Sequence, residues 1–93
     1  MVIGVCTVQL QMSESLSLKD KRRILQSLIS RIRNNFNVSI TEVDYKDERA
    51  RAKLAIACVS TDGEFATKTI NRIISLIEQD PRVLLEDYSV EML

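Results

Sequence analysis

The hydrophobic period of this chain switches repeatedly, and the order of the switches restricts its fold more than any other feature. Residues 2–12, VIGVCTVQLQM, alternate with period two. Val2, Gly4, Cys6, Val8, Leu10 and Met12 fall on one side; Ile3, Val5, Thr7, Gln9 and Gln11 fall on the other. Such alternation, rich in β-branched residues, predicts a strand with its even face in a core. The period then becomes helical: Leu18, Leu25, Leu28, Ile29, Ile32 and Phe36 share one face. Ser17 and Asp20 have capping-box spacing at the start of this helix. Asn34, Asn35 and Asn37 surround its end, where Asn tolerates the left-handed conformation.

Residues 38–45, VSITEVDY, read as a second strand, followed by the charged loop Lys46-Asp47-Glu48-Arg49. Residues 51–60, RAKLAIACVS, alternate again, with Ala52, Leu54, Ile56 and Cys58 opposed to Lys53, Ala55, Ala57 and Val59. The second and third strands therefore form a hairpin. Asp62 is placed to cap a second helix whose apolar face is Ala66, Ile70, Ile73, Ile74 and Ile77, and Pro81 marks its end. Residues 82–92, RVLLEDYSVEM, read as a last strand, but their pattern assigns no inward face. The order β-α-β-β-α-β is the ferredoxin-like plan. Right-handed crossovers put both helices on one face of a four-stranded antiparallel sheet, in the order 4-1-3-2. A length of 93 residues fits one domain, 1–93, with enough buried surface for a core without staples.

Thirteen basic and thirteen acidic residues cancel, so overall charge points to neither nucleic acid nor membrane. Histidine is absent, which removes the usual neutral-pH acid/base group and the commonest metal ligand. No run approaches the roughly 20 apolar residues of a membrane span. The N-terminal stretch lacks the charged start of a signal peptide. Cys6 and Cys58 form no CxxC pair, and they fall on core-facing positions of adjacent central strands. Two buried, reduced thiols in a cytoplasmic protein are the expectation.

The charge is unevenly spread. Between Lys19 and Arg33 six basic residues face the single acid Asp20. At about 100° per residue, Lys19, Arg22, Arg23, Gln26, Ser30 and Arg33 fall within about 100° of arc, along about 21 Å of helix. Lys21 is placed as a further cation at the helix start, where free N–H groups add positive potential. Such a flank can follow several phosphates of RNA, so Lys19, Lys21, Arg22, Arg23 and Arg33 are candidate anion-binding residues. The competing reading is a solvated flank neutralised by Glu64, Glu86 or Asp87.

The open sheet face offers a second surface. Ile3 and Val5, beside Ala55, Ala57 and Val59, include no aromatic on which a base would stack. Their small and β-branched side chains suit a homodimer or partner-protein interface, and the alternative to RNA binding is a homodimeric protein-interaction or small-ligand-sensing domain that uses this face. Asp44, Asp47 and Glu48 lie near the hairpin loop, but three basic neighbours compete for them and their spacing is not that of a calcium loop. No metal or cofactor is expected, and sequence-specific DNA binding is not expected either. Catalysis finds little support. Gly4 and Gly63 are the only glycines, so there is no phosphate loop, and the serines lack an activating base. The loop Ser13-Glu14-Ser15 is acidic where acylphosphatases, which share this plan, place an arginine.

The segments SLKDKRR, FNVSITEVD and KLAIACVS, with a charged hairpin between the last two, resemble the YlxP-like family of small uncharacterised bacterial proteins over nearly the whole chain. The resemblance implies a ferredoxin-like fold in the bacterial cytoplasm. Members are often encoded beside translation and ribosome-maturation factors, which favours contact with RNA or the ribosome without establishing an activity. The resemblance supplies no catalytic residues. The family pattern carries a tryptophan near position 49 where this chain has Arg49, so a shared role for that position is not carried over.

Overall fold

The computed structural model describes all 93 residues. Six elements follow in the expected order: β1 (Val2–Gln11), α1 (Leu18–Asn35), β2 (Ser39–Asp44), β3 (Arg51–Ser60), α2 (Gly63–Glu78) and β4 (Leu84–Met92). All strand pairs are antiparallel and the sheet order is β2-β3-β1-β4, the predicted order read from the other end. The central register pairs Ile3 with Val59, Cys6 with Ile56 and Leu10 with Ala52. Even positions of β1 and β3 enter the core, as the alternation requires.

Both helices start where their caps dictate. Ser17 and Asp20 form the reciprocal capping box, and Asp62 accepts from the Glu64 N–H at the start of α2. Caps of this type are each worth about 1 kcal/mol. α2 lies over β1 and β3, whereas α1 lies over β2. The core is closed by fully buried Leu28 and Ile32 from α1, Ile73 and Ile77 from α2, and Val8 and Leu54 from the sheet. Each such side chain contributes roughly 1.5–3 kcal/mol of burial. Gly4 has a packing reason: a Cβ there would stand 2.9 Å from Ile70 Cδ1 on α2.

The two edge strands differ. β2 is six residues long and carries a register shift between Glu42 and Asp44. Its Ile40 carbonyl accepts a 2.8 Å hydrogen bond from Arg33 Nη2. β4 has nine residues, nearly all exposed. A register shift against β1 at Gln9/Leu10 puts Leu85 opposite Leu10 and Leu84 opposite Gln11. Beyond that shift Tyr88, Val90 and Met92 pair with Val8, Cys6 and Gly4, on the helix side of the sheet. They nevertheless stay 40–49% exposed, because α2 sits over the centre of the sheet.

Cys6 and Cys58 are free, buried and on the same face, with Cys58 opposite Gly4, two positions from Cys6. Burial pushes the Cys6 thiol up. Native protein is therefore expected to react with iodoacetamide at Cys6 far more slowly than unfolded protein does, read by mass spectrometry.

Candidate nucleic-acid interface

The exposed flank of α1 arises from a simple phase relation. The side chains that α1 buries are Lys21, Leu25, Leu28 and Ile32, at i, i+4, i+7 and i+11. Lys19, Arg22, Arg23, Gln26, Ser30 and Arg33 are rotated away from them and are all exposed. The protein makes five ion pairs: Lys21–Glu42, Arg31–Asp80, Arg51–Glu48, Lys68–Glu64 and Arg82–Asp80. None involves Lys19, Arg22, Arg23 or Arg33. The acids expected to neutralise the flank do not reach it. Glu64 pairs with Lys68 on its own helix, and Glu86 and Asp87 lie on β4, the edge of the sheet remote from β2 and α1.

Lys21 is a correction. It does not stand at the surface among the phosphate-binding candidates but is 1% exposed. Its position is in phase with the apolar stripe, so its stem enters the core and its ammonium emerges beneath the β2–β3 hairpin. There Nζ donates to the Tyr45 carbonyl at 2.6 Å and to the Lys46 carbonyl at 3.5 Å. Glu42 Oε2 lies 3.2 Å from the same Nζ, buried and without a directed hydrogen bond. The charge pair is thus largely an electrostatic one. Tyr45, held by this contact, is the one non-glycine residue with positive φ, at 62°. Its ring lies 4.1 Å from the Arg51 guanidinium, which grips Glu48 through two hydrogen bonds of 2.7 and 2.9 Å.

A second expectation is also revised. The start of α1 is not an open set of N–H donors, because the Asp20 N–H goes to Ser17 Oγ. The Ser17 N–H and hydroxyl hold the Asp20 carboxyl below the usual range, with smaller help from Arg23 and Lys19. The helix terminus therefore has its own anion, and an external one must be held by side chains further along. Arg33 keeps its exposed position while donating one N–H to Ile40. The remaining candidates, Ile3, Val5, Ala55 and Ala57, are half-buried neighbours on the open sheet face, and Val59 is 61% exposed beside Ile3.

One charged site was not foreseen. Asp80 is 2% exposed at the turn after α2, where it accepts from the Arg82 N–H and guanidinium. The sequence Asp80-Pro81-Arg82 carried the signal, since Asp before such a turn bonds the backbone two residues on. Arg82 also reaches Ser27 on α1 at 3.2 Å, tying the turn to the helix. Hydrogen bonds from the Arg82 guanidinium, aided by its N–H and by Arg31, hold the Asp80 carboxyl below its usual range. A depressed folded pKa adds stability above the unfolded value of about 3.9, and this is lost as pH falls through the folded value. Asp80→Asn is therefore expected to lower the melting temperature at pH 7. Its deficit relative to the native chain should close as pH drops below about 4, as followed by circular dichroism.

The fold and this flank define a small ferredoxin-like domain with an unneutralised cationic helix edge. The chain belongs to the family described as Protein of unknown function (DUF503), whose model matches residues 3–90. It is 33% identical over 82 residues to the uncharacterized protein YlxP of Bacillus subtilis, covering 88% of this chain and 89% of that protein. Two designed proteins share the fold. The de novo designed protein Foldit4 superposes with a TM-score of 0.53 at 16% identity, covering 99% of this chain and 94% of its own. A second design with ferredoxin fold, solved by NMR, has a TM-score of 0.53 at 17% identity, covering 98% and 86%. No helix is long and apolar enough to cross a membrane.

Proposed function

We propose that this domain is a non-enzymatic cytoplasmic module that associates with ribosomal RNA or the ribosome through Lys19, Arg22, Arg23 and Arg33. The observation that supports this reading is that none of these four exposed cations, gathered on one flank of α1, makes an ion pair, and Asp20 at the helix start is the only acid on the same helix. Clustered like charge on a helix is unfavourable in isolation, and phosphate relieves it. Contacts of this kind supply affinity without sequence readout, and the sheet has no aromatic platform to add any.

The test is co-sedimentation with ribosomal subunits, and filter binding to ribosomal RNA, over a salt series. Arg22→Glu with Arg23→Glu is expected to weaken binding on the order of tenfold at low salt. It should also reduce the slope of log K against log salt by about 1.4 for single-stranded contacts. A charge-matched control, Lys68→Glu with Arg72→Glu on α2, should bind nearly as the native chain does. Equal loss in both pairs, or none in the first, would defeat the reading.

A further inference from the structure

We propose that β4 is a self-pairing edge: two copies of this chain join antiparallel through β4 about a two-fold axis at Val90. This surface is separate from both the cationic flank and the open sheet face, and the proposal does not depend on the RNA reading.

The argument begins with hydrogen bonds. Ile3 and Leu93 exchange both of theirs, Ile3 N–H to Leu93 O at 3.1 Å and Leu93 N–H to Ile3 O at 2.8 Å. In an antiparallel ladder such pairs alternate with pairs that make no mutual bond. Counting back along the register, Met92, Val90 and Tyr88 are the non-bonded partners of Gly4, Cys6 and Val8. Their N–H and C=O groups therefore point outward from the sheet. The same three residues carry apolar side chains left 40–49% exposed on the helix side. The Tyr88 N–H is already taken by Asp87 Oδ1 at 2.9 Å, but at Val90 and Met92 donors, acceptors and apolar surface coincide on one edge.

The strand's own sequence selects the occupant. With the axis at Val90, Val90 meets Val90 and Tyr88 meets Met92, so every outward residue finds an outward, apolar partner. Glu91 then faces Ser89, and Asp87 faces Leu93. Moving the axis to Ser89 would oppose Asp87 to Glu91, two like charges. The axis at Val90 avoids that repulsion. The bulge of β4 lies at Glu86, outside the segment Tyr88–Met92, which keeps a regular register with β1 and carries no Lys, Arg or Pro. β2 is shorter, its bulge leaves only Ser39–Glu42 in regular register, and Arg33 occupies its Ile40 carbonyl.

The contact is small, so the dimer is concentration-dependent and is read by sedimentation equilibrium up to millimolar protein. Val90→Lys places two ammonium groups at the axis without touching the core and is expected to weaken association on the order of tenfold. Val90→Glu should do the same, and an equimolar mixture of the two should associate again. Bonded antiparallel pairs have Cα atoms about 5.5 Å apart, within disulfide range. Val90→Cys should therefore cross-link under mild oxidation much faster than Ser89→Cys, which faces Glu91 of the other copy. A monomer at all concentrations overturns the proposal. So does a dimer that survives Val90→Lys but is broken by Ala57→Glu on the open face, or cross-linking faster at position 89 than at 90.

Discussion

Lys21→Ala is expected to destabilise the domain by about 3 kcal/mol, the largest loss from any single charged residue. Its ammonium is taken up by the Tyr45 and Lys46 carbonyls and by Glu42 beneath the hairpin. Removing one member of a buried charge pair typically costs about 3–5 kcal/mol, because the partner is left unpaired. Here Glu42 is partly open at 21%, so water offsets some of that, and the lower end applies. Loss of the lysine stem from the apolar side of α1 adds a packing deficit. For a domain of this size the melting temperature should fall by about 12–20 °C. The companion variant separates charge from shape. Lys21→Met with Glu42→Leu keeps the volume, removes both charges and should recover a large part of the loss. Equal instability of the single and double variants would mean that the hairpin carbonyls, not Glu42, hold the lysine.

Gly4→Val carries the second large effect, about 2 kcal/mol of destabilisation by chemical denaturation. The first added carbon already lies 2.9 Å from Ile70 Cδ1 and 3.4 Å from Met92. Its branches would have to move α2 away from β1 or push Ile70 and Met92 off their rotamers, and overpacking of this kind costs about 1–3 kcal/mol. Alanine is milder. Ile70 Cδ1 is the far end of a flexible side chain, and the stiffer unfolded chain offsets part of the crowding. Gly4→Ala should therefore fall within about 1 kcal/mol of the native chain. Relief of the valine variant by Ile70→Val would identify the clash directly.

What the sequence disclosed depended on how many partners a residue type admits. Alternation in β1 and β3 placed their faces because one register buries all the even positions. Ser17 with Asp20, and Asp62, announced their helices because few side chains accept from a helix start. β4 gave no facing because its register shifts: Leu85 and Asp87 straddle the irregularity at Glu86, so a single alternation cannot describe the strand. The cationic flank was legible as helical phase, and four of its five charged candidates lie on the surface together. Lys21 was misplaced because charge was weighed before phase. Its spacing to Leu25, Leu28 and Ile32 put it in the buried stripe, and a long apolar stem makes that position tenable. The Lys21–Glu42 pair bridges elements far apart in sequence, and no local pattern announces such a pair.

The contrast between the sheet's two margins limits what can be built from it. Pairing through β4 consumes that margin in both molecules at once, as any isologous contact does. The other margin is short, kinked and has its Ile40 carbonyl already taken by Arg33. With β4 consumed in the proposed dimer, a third molecule would have only this short margin on which to add, and growth beyond eight strands would be disfavoured. In such a dimer the Arg33–Ile40 hydrogen bond would help to close the remaining margin, and a chain lacking it would be the one to watch for fibre growth on storage.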